Sequence, residues 1–240
     1  MRARGASSRR RFARRAWARR WATLRRALLL LVLVGLVAGA GWLVFVSSVL
    51  AVERVEVGGV RTVPAQQIRE AAAVPVGEPL ARVDVDAVRA RVERVPVVSR
   101  AEIGRSWPHT VVVEVTERTP VAAVSTGGRY RLIDAEGVMF RSVAEPRDRL
   151  PVMTVGQHPQ AAREAAAVVA MLPRDLARRV AEVEATTMDS IALQLRDGRE
   201  VVWGSADSSA LKAKVLSALI KRDASVYDVS VPGSPTLKVG

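Results

Sequence analysis

Only a few side chains in this sequence have the chemistry for acid–base catalysis or metal binding. The two histidines are His109, which follows a Trp-Pro pair, and His158, which precedes Pro159. Neither histidine has a nucleophile or a second ligand at a spacing that nucleophilic catalysis or metal coordination uses. We therefore expect both histidines to be solvent-exposed residues of turns and loops.

The carboxylates that occur in pairs have simpler explanations than acid–base catalysis. Asp84 and Asp86 precede a helical pattern, where the helix dipole favours negative charge. Asp134 and Glu136 lie in a predicted hairpin turn, where water solvates them. The chain contains no cysteine, and it has no phosphate-binding or hydrolase motif. We thus expect no enzyme activity, no cofactor and no metal.

The charge of the chain is concentrated at its N-terminus. The net charge is +13, and residues 1–26 contain eleven Arg and no Asp or Glu, so only +2 is left for the remainder. This pattern describes a basic cytoplasmic tail rather than a basic domain. Nucleic-acid binding by the Arg and Trp residues of the tail is a weaker alternative.

The apolar segment 27–50 has the length and composition of a transmembrane helix. No charged residue occurs between Arg26 and Glu53. A helix of this length spans roughly 36 Å, enough to cross a hydrocarbon core of about 30 Å. Gly35 and Gly39 inside the segment could allow close contact with a second helix, although glycine is common in membrane helices.

The residues before this segment predict its orientation. Cationic loops stay in the cytoplasm, so the chain is predicted to be a single-pass protein of the cytoplasmic membrane with its bulk outside. A twin-arginine export signal near Phe12 and signal-peptidase cleavage after Ala51 are alternatives that the length of the apolar run disfavours. The residues predicted to orient the span and meet lipid headgroups are Arg19, Arg20, Arg25, Arg26, Trp17 and Trp21.

The segment 51–120 has the pattern of a small α+β module. Val55 and Val57 share one face of a strand, Thr62 could cap a first helix, and Asp84 could cap a second helix with a valine stripe. Two further strands flank the Trp107-Pro108 turn. The predicted order of elements is strand, helix, helix, strand, strand.

The segment 121–232 predicts a β-rich domain with flanking helices. Its first hairpin, residues 130–140, places Gly137 where φ is positive, and a second hairpin covers 191–203. An Ala-rich helix is predicted over 161–172. Asp207 is expected to cap a later helix that turns Leu211, Val215, Ala218 and Leu219 inward and Lys212, Lys214 and Lys221 outward. A last strand covers 226–231.

These patterns resemble the FtsQ family of bacterial division proteins, also called DivIB, whose first extracytoplasmic domain is a POTRA domain. The resemblance is carried by residues 55–59, by Gly77, by residues 96–98, by the Trp107-Pro108 pair, and by residues 113–122, which read VEVTERTPVA. The hairpin at 130–140 is similar to the first hairpin of the family's β domain. The family motif positions expected to be structural are Gly59, Trp107, Pro108, Asp134 and Gly137.

The resemblance implies a scaffold that joins early and late division proteins and regulates septal wall synthesis through protein contacts. In the family, the edge formed by the last strand binds FtsB and FtsL, two small bitopic proteins, by strand addition. Here this implies an unpaired edge at Tyr227, Asp228, Val229, Ser230 and Val231, with the cations Lys221 and Arg222 beside it. A proline at Val229 is expected to disrupt the edge. Ile103 and Arg105 are a weaker candidate recruitment face on the POTRA domain.

The predicted organisation is therefore a tail (1–26), a span (27–50), a POTRA domain (51–120), a β domain (121–232) and a C-terminal tail (233–240). The resemblance places the protein at the division septum. Two alternatives stay open at this point: a POTRA-containing component of a protein translocation or assembly machine, and a membrane-anchored enzyme.

Overall fold

The N-terminal helix ends earlier than the apolar segment does. The computed structural model describes residues 7–146, 150–156 and 159–239, without the side chains of residues 7–20, 22, 23 and 159. Helix α1 (Ser7–Phe45) contains one stretch long and apolar enough to cross a membrane, Leu24–Phe45. After it, the Ser47 side chain accepts a hydrogen bond from the Val49 N–H and starts a 3-10 turn, Ser48–Leu50. The last residues of the predicted span are therefore not part of the α-helix.

Contacts between Cα atoms group the chain into two units. The first unit consists of residues 1–58, 65–91 and 102–114, and the second consists of residues 59–64, 92–101 and 115–240.

A three-stranded sheet follows α1 in sequence. Its strands are β1 (Arg54–Gly58), β2 (Val98–Ser106) and β3 (Thr110–Glu117), in the order β1-β3-β2. Strand β1 runs parallel to β3, with Val55 opposite Val111. Between β1 and β2 lie the helices α2 (Ala65–Ala72) and α3 (Val85–Glu93). The predicted order of strand, helix, helix, strand, strand is confirmed.

Valine alternation builds the core of this sheet. Val111, Val113 and Val115 of β3 are buried, whereas Glu114 and Thr116 are exposed. A strand alternates its side chains between two faces, so this pattern places one face of β3 in the core. The helices contribute buried apolar residues at helical spacing, which are Ile68 and Ala72 from α2 and Val88 and Val92 from α3.

A nine-stranded mixed sheet forms most of the second unit. Its strands are β4 (Ala122–Thr126), β5 (Arg129–Ile133), β6 (Met139–Val143), β7 (Val152–Val155), β8 (Val180–Thr187), β9 (Ser190–Leu195), β10 (Glu200–Gly204), β11 (Val226–Asp228) and β12 (Thr236–Lys238). Among the described residues their order is β12-β11-β10-β9-β8-β7-β4-β5-β6. The helices of this unit are α4 (Pro159–Met171), α5 (Arg174–Ala177) and α6 (Ser209–Leu219). The α+β class with a β-rich C-terminal domain is confirmed.

The core of the nine-stranded sheet combines one row of small side chains with one large indole. Helix α4 contacts β7 and β8 through a face that is mostly alanine. Trp203 on β10 is fully buried, and its indole N–H donates to the Ser209 hydroxyl at 3.1 Å. The buried residues of the α4 face are Ala161, Ala162, Ala165, Ala166, Val168 and Val169.

The predicted orientation of α6 is wrong in part: Val215 and Leu219 pack against the core and Lys214 and Lys221 are exposed, as predicted, but Ala218 is exposed. Leu211 is exposed, whereas Lys212 is buried together with Ala213 and Leu216. Asp207 does not cap the helix, because its carboxylate instead accepts a hydrogen bond from the Ser205 hydroxyl at 3.2 Å. The helix is rotated relative to the prediction because the long aliphatic stem of Lys212 fills core space and its ammonium group finds buried acceptors.

Candidate functional site

His109 and Asp84 make hydrogen bonds within the fold. His109 is half-buried rather than exposed, with its Nδ1 at 3.1 Å from the Ala51 carbonyl oxygen. Asp84 caps α3, as predicted, by accepting hydrogen bonds from the N–H groups of Asp86 and Ala87. His158 lies outside the described residues. Within the described ranges, no group of three His, Asp or Glu residues could hold a metal ion.

Asp134 is a buried residue, which corrects the expectation that water solvates it. Its carboxylate accepts hydrogen bonds from the N–H groups of Glu136 (3.0 Å) and Val138 (2.8 Å), and from the Arg118 guanidinium at 2.5 Å. Gly137 has a φ of +83°, and a Cβ at that position would collide with α4. Asp134 and Gly137 therefore fix the β5–β6 turn.

Glu117, at the end of β3, holds the loop that precedes α2. Its carboxylate accepts hydrogen bonds from the N–H groups of Arg61, Thr62 and Val63, at 2.8 to 3.2 Å, and from the Thr62 hydroxyl. Thr62 therefore binds Glu117 instead of capping the helix. Partial burial would raise the pKa of Glu117, but these hydrogen bonds outweigh burial and lower it to about 2.

Gly59 begins this loop and has no sterically allowed substitute. Its φ is +77°, and an added Cβ would lie 2.0 Å from the Val115 carbonyl oxygen. The peptide bond between Trp107 and Pro108, another pair of the quoted motif, is cis and lies between β2 and β3.

The C-terminal edge of the nine-stranded sheet differs from the prediction. Strand β11 ends at Asp228, and β12 pairs with it in antiparallel orientation, with Tyr227 opposite Leu237. The Val229 N–H donates to the Val202 carbonyl at 3.0 Å. Strand β11, which covers only the first half of the predicted strand 226–231, is therefore paired on both sides. The outermost strand is β12, which lies in the segment predicted to be a C-terminal tail. Its three residues, with proline and glycine nearby, are too few to show a strand pattern.

The side chain of Tyr227, one of the predicted partner contacts, lies in the core. Its ring is fully buried, and its hydroxyl donates to the Arg222 carbonyl at 2.7 Å. The same hydroxyl accepts from Arg199, whose guanidinium lies 5.4 Å from the ring centroid and also contacts the Asp197 carboxylate at 2.6 Å. These contacts fix β11 against the end of β10. The hydrogen bond from Arg199 also holds the pKa of Asp197 below its ordinary value.

The residues after Tyr227 form a tight turn. The Asp228 carboxylate accepts hydrogen bonds from the N–H and the hydroxyl of Ser230, at 2.9 and 2.6 Å. Val229 is fully buried, and Val231 is exposed. Lys221 and Arg222 are exposed before β11. Of the seven predicted contact residues, Lys221, Arg222 and Val231 present their side chains to solvent.

Lys212 is a buried cation next to this edge. Its ammonium group donates to the carbonyl oxygens of Trp203 (3.0 Å) and Ser205 (2.8 Å). Burial lowers its pKa, and the negative charges of Asp207 and Asp228 oppose that shift only in part. Two backbone carbonyls therefore accept the hydrogen bonds of this ammonium group.

The two residues of the predicted recruitment face have different surroundings. The Arg105 guanidinium donates to the carbonyls of Leu80 (3.0 Å) and Val83 (2.7 Å), whereas Ile103 is half-buried. Their role as a recruitment face stays a prediction.

The residues predicted to orient the span and meet lipid headgroups lie on α1. Trp21, Arg25 and Arg26 are exposed on α1, and the side chains of Trp17, Arg19 and Arg20 lie outside the described part of the chain. Among the described residues, no atom beyond the helix's own backbone lies within 4 Å of a Cβ added at Gly35 or Gly39.

Sequence reasoning missed three features of this part of the molecule: the Glu117 carboxylate, the buried Lys212 and strand β12. Glu117 stands in the quoted motif, but its partners lie more than 50 residues away. The only available signal for Lys212 was its position one residue from the predicted apolar face of α6.

The described residues therefore combine one helix long and apolar enough to span a membrane, a small sheet with the element order of a POTRA domain, and a larger β-rich unit. A family profile described as "POTRA domain, FtsQ-type" matches residues 50–118, and one described as "Cell division protein FtsQ/DivIB, C-terminal" matches residues 122–231. The chain belongs to the FtsQ/DivIB family.

Curated relatives agree with this assignment. The chain is 42% identical over 213 residues to the cell division protein FtsQ of Streptomyces bingchenggensis, with 83% of this chain and 80% of that protein covered. It is 40% identical over 237 residues to FtsQ of Streptomyces collinus, with 90% of each covered. It is 36% identical over 206 residues to FtsQ of Mycolicibacterium smegmatis, with 85% of this chain and 62% of that protein covered.

A solved structure of the major extracytoplasmic domain of the division protein DivIB from Geobacillus stearothermophilus also matches. It shares 18% identity with this chain and has a TM-score of 0.36, with 45% of this chain and 98% of that chain covered. The family assignment rests on the sequence matches.

Proposed function

We propose that this chain is a cell division scaffold that acts through protein contacts and has no catalytic step. It crosses the cytoplasmic membrane once through α1, keeps its Arg-rich tail in the cytoplasm, and gathers at the division septum. There it links early and late division proteins and regulates septal wall synthesis. Membership of the FtsQ/DivIB family supports this proposal, and the basic tail before an apolar helix supports the orientation.

The observation that carries the proposal is the outer edge of β12. The Lys238 carbonyl accepts hydrogen bonds from the N–H and the hydroxyl of Ser225, so the peptide groups of Lys238 face β11. Backbone groups alternate in direction along a strand, so the N–H and C=O of Leu237 face the open side. An open row of such groups can accept a partner strand.

We assign this edge to the extracytoplasmic segments of FtsB-like and FtsL-like bitopic proteins. The exposed cations Lys221, Arg222 and Lys238 belong to the segments that precede β11 and form β12. Such cations favour a partner whose strand carries acidic side chains. Tyr227 and Val229 support the edge from the core instead of touching the partner.

Truncation after Pro235 tests which strand receives the partner. If the partner pairs with β12, the shortened chain loses binding of an FtsB-like extracytoplasmic peptide in calorimetric titration. If the partner instead displaces β12 and pairs with β11, the same truncation strengthens binding, because a competing strand is gone. Unchanged binding would contradict both versions and remove this edge from the proposal.

Two point variants control for loss of folding. Leu237→Pro removes the N–H that faces the open side and should weaken binding at least tenfold, which corresponds to about 1.4 kcal/mol. Thr236→Ala changes an exposed side chain on the same strand and should leave binding unchanged. Val229→Pro is a poor test, because it removes the native hydrogen bond to Val202 and so perturbs the fold itself.

The division role is tested by imaging a fluorescent protein fused to the N-terminus in growing host cells. A band at the division site supports the scaffold. An even membrane signal from an intact fusion that supports growth would contradict septal action while leaving the anchored fold unaffected.

A further inference from the structure

Three separate segments of the first unit are joined by backbone hydrogen bonds: the stretch that follows α1, the loop around residue 77 and the β2–β3 turn. The Val52 N–H donates to the Glu78 carbonyl and the Val52 carbonyl accepts from the Gly77 N–H, both at 2.9 Å. The Glu53 N–H donates to the His109 carbonyl at 2.9 Å. The loop around residue 77 and the β2–β3 turn are therefore both fastened to the same short stretch of chain.

This stretch lies directly after the apolar helix. Only five residues separate Phe45, the end of α1, from Ala51, and an extended chain of that length reaches at most about 20 Å. The 3-10 turn Ser48–Leu50 shortens that distance. Helix α1 also contacts the 3-10 turn Leu80–Arg82, which follows the fastened loop.

Large apolar side chains are exposed on all three segments. Val49 is 59% exposed, Val76 is 70% exposed, and Trp107 is 52% exposed. Scattered exposed apolar residues are normal on a protein surface and need no explanation. These three are different, because each is on a segment held at the end of the unit that adjoins α1. Tryptophan is also the residue most typical of the membrane–water interface.

We propose that this end of the first unit rests on the bilayer surface at which the C-terminal end of α1 leaves the membrane. Trp107 lies in the headgroup layer, and Val49 and Val76 reach toward the acyl chains. The inference depends on the proposed crossing of the membrane by α1. It gives the Trp107-Pro108 pair a role in setting the first unit on the bilayer.

The charges around these side chains indicate an apolar rather than an electrostatic attachment. Glu53 and Glu78 lie in the fastened segments, and Arg54 and Arg82 lie beside them. Because the two signs balance, docking should depend little on anionic lipid, in contrast to a polybasic surface, whose binding rises with anionic lipid content.

The absence of cysteine makes a direct depth measurement possible. The full chain is placed in nanodiscs of phosphatidylcholine, with and without phosphatidylglycerol, after Val76→Cys is labelled with a nitroxide. Gln67→Cys is the matched control, because Gln67 is exposed in the same unit on α2, which begins after the opposite end of β1. Leu33→Cys, in the middle of α1, reports whether the helix is in the bilayer.

Relative collision rates with oxygen and with a water-soluble nickel chelate then give the depth of each label. We expect the ratio of oxygen to nickel accessibility to be several-fold higher at position 76 than at position 67, with or without phosphatidylglycerol. Trp107→Ala should move the position 76 label toward water.

Other outcomes would overturn the inference in distinguishable ways. A water-like label at 76 with a deep label at 33 contradicts docking and leaves the membrane crossing intact. A water-like label at 33 contradicts the crossing itself, and docking fails with it. Protection of position 76 from both reagents would identify protein instead of lipid as the covering surface.

Discussion

Two polar clusters in the second unit hold charge in opposite ways. The first, the junction cluster, consists of Glu117, Arg118 and Asp134, and each of its charges has a partner of opposite sign or several N–H donors. The second, the α6 corner, consists of Lys212 and the carbonyls of Trp203 and Ser205. Its cation donates hydrogen bonds to backbone carbonyls, and the carboxylates of Asp207 and Asp228 act on it only through space.

The charges of the junction cluster stabilise the folded state, whereas the folded state only tolerates the charge in the α6 corner. In the junction cluster, hydrogen bonds lower the pKa of Glu117, so folding favours the ionised carboxylate. In the α6 corner, burial lowers the pKa of Lys212, so folding disfavours the ionised ammonium. Removing a charge should therefore be costly in the first cluster and nearly neutral in the second.

The largest effect is expected for Asp134→Ala. Its carboxylate is the buried one of the two that contact Arg118, so its removal leaves this largely buried guanidinium with only the exposed Glu136 as a partner. It also removes the acceptor of the Glu136 and Val138 N–H groups, and the total cost should be about 3 kcal/mol. Urea denaturation of the chain without α1 would measure this loss. Glu136→Ala is the matched control, since Glu136 touches the same guanidinium atom but is exposed, and it should cost under about 0.5 kcal/mol. Equal losses for the two variants would contradict the special role of the buried pair.

A smaller effect is expected for Glu117→Gln, about 1–2 kcal/mol at neutral pH, because a charged acceptor of four hydrogen bonds becomes a neutral one. The pKa of Glu117 is lower in the folded state, so its contribution is complete above the ordinary value of 4.5 and is lost as the pH falls toward about 2. Denaturation curves of the two proteins should therefore converge with acidification. A constant difference across that range would contradict the assigned pKa.

The smallest effect is expected for Lys212→Met, which keeps the aliphatic stem and removes the charge. Stability at neutral pH should change by less than about 1 kcal/mol, because the lost hydrogen bonds and the removed desolvation penalty oppose each other. A loss of several kcal/mol would show that the α6 corner depends on its cation.

The pH dependence of Lys212→Met provides a second readout. The pKa of folded Lys212 lies below 10.5, so the unfolded chain binds more protons in that range and stability rises with pH. The parent chain should therefore gain stability relative to Lys212→Met as the pH increases toward 10.5. Lys214→Met, at an exposed position on the same helix, should show no such trend.

The fold was predictable wherever local pattern decides the structure. The alternation of Val111, Val113 and Val115 predicts β3, and Asp84 predicts the start of α3, because strand faces and helix caps are properties of neighbouring residues. The orientation of α6 was not predictable in this way. A lysine is assigned to the solvent by its charge, and only the tertiary positions of Trp203 and Ser205 supply the acceptors that bury it.

The position of the candidate partner-binding edge was predictable, but the strand and the side chains that form it were not. Residues 226–231 contain β11 and pointed to the correct side of the sheet. Strand β12 has only three residues, too few for a period of two to be recognised. The placement of Tyr227 in the core depends on Arg199, a partner 28 residues away that no local pattern indicates.

The alanine face of α4 has a consequence for the conformational entropy of the β-rich unit. Alanine loses no rotamer freedom on burial, whereas each leucine or methionine in its place would lose on the order of 0.5–2 kcal/mol. Ala161, Ala162, Ala165 and Ala166 therefore let α4 pack on β7 and β8 with no loss of rotamer freedom at these four positions. Larger residues at these positions would have to offset both a steric and an entropic cost.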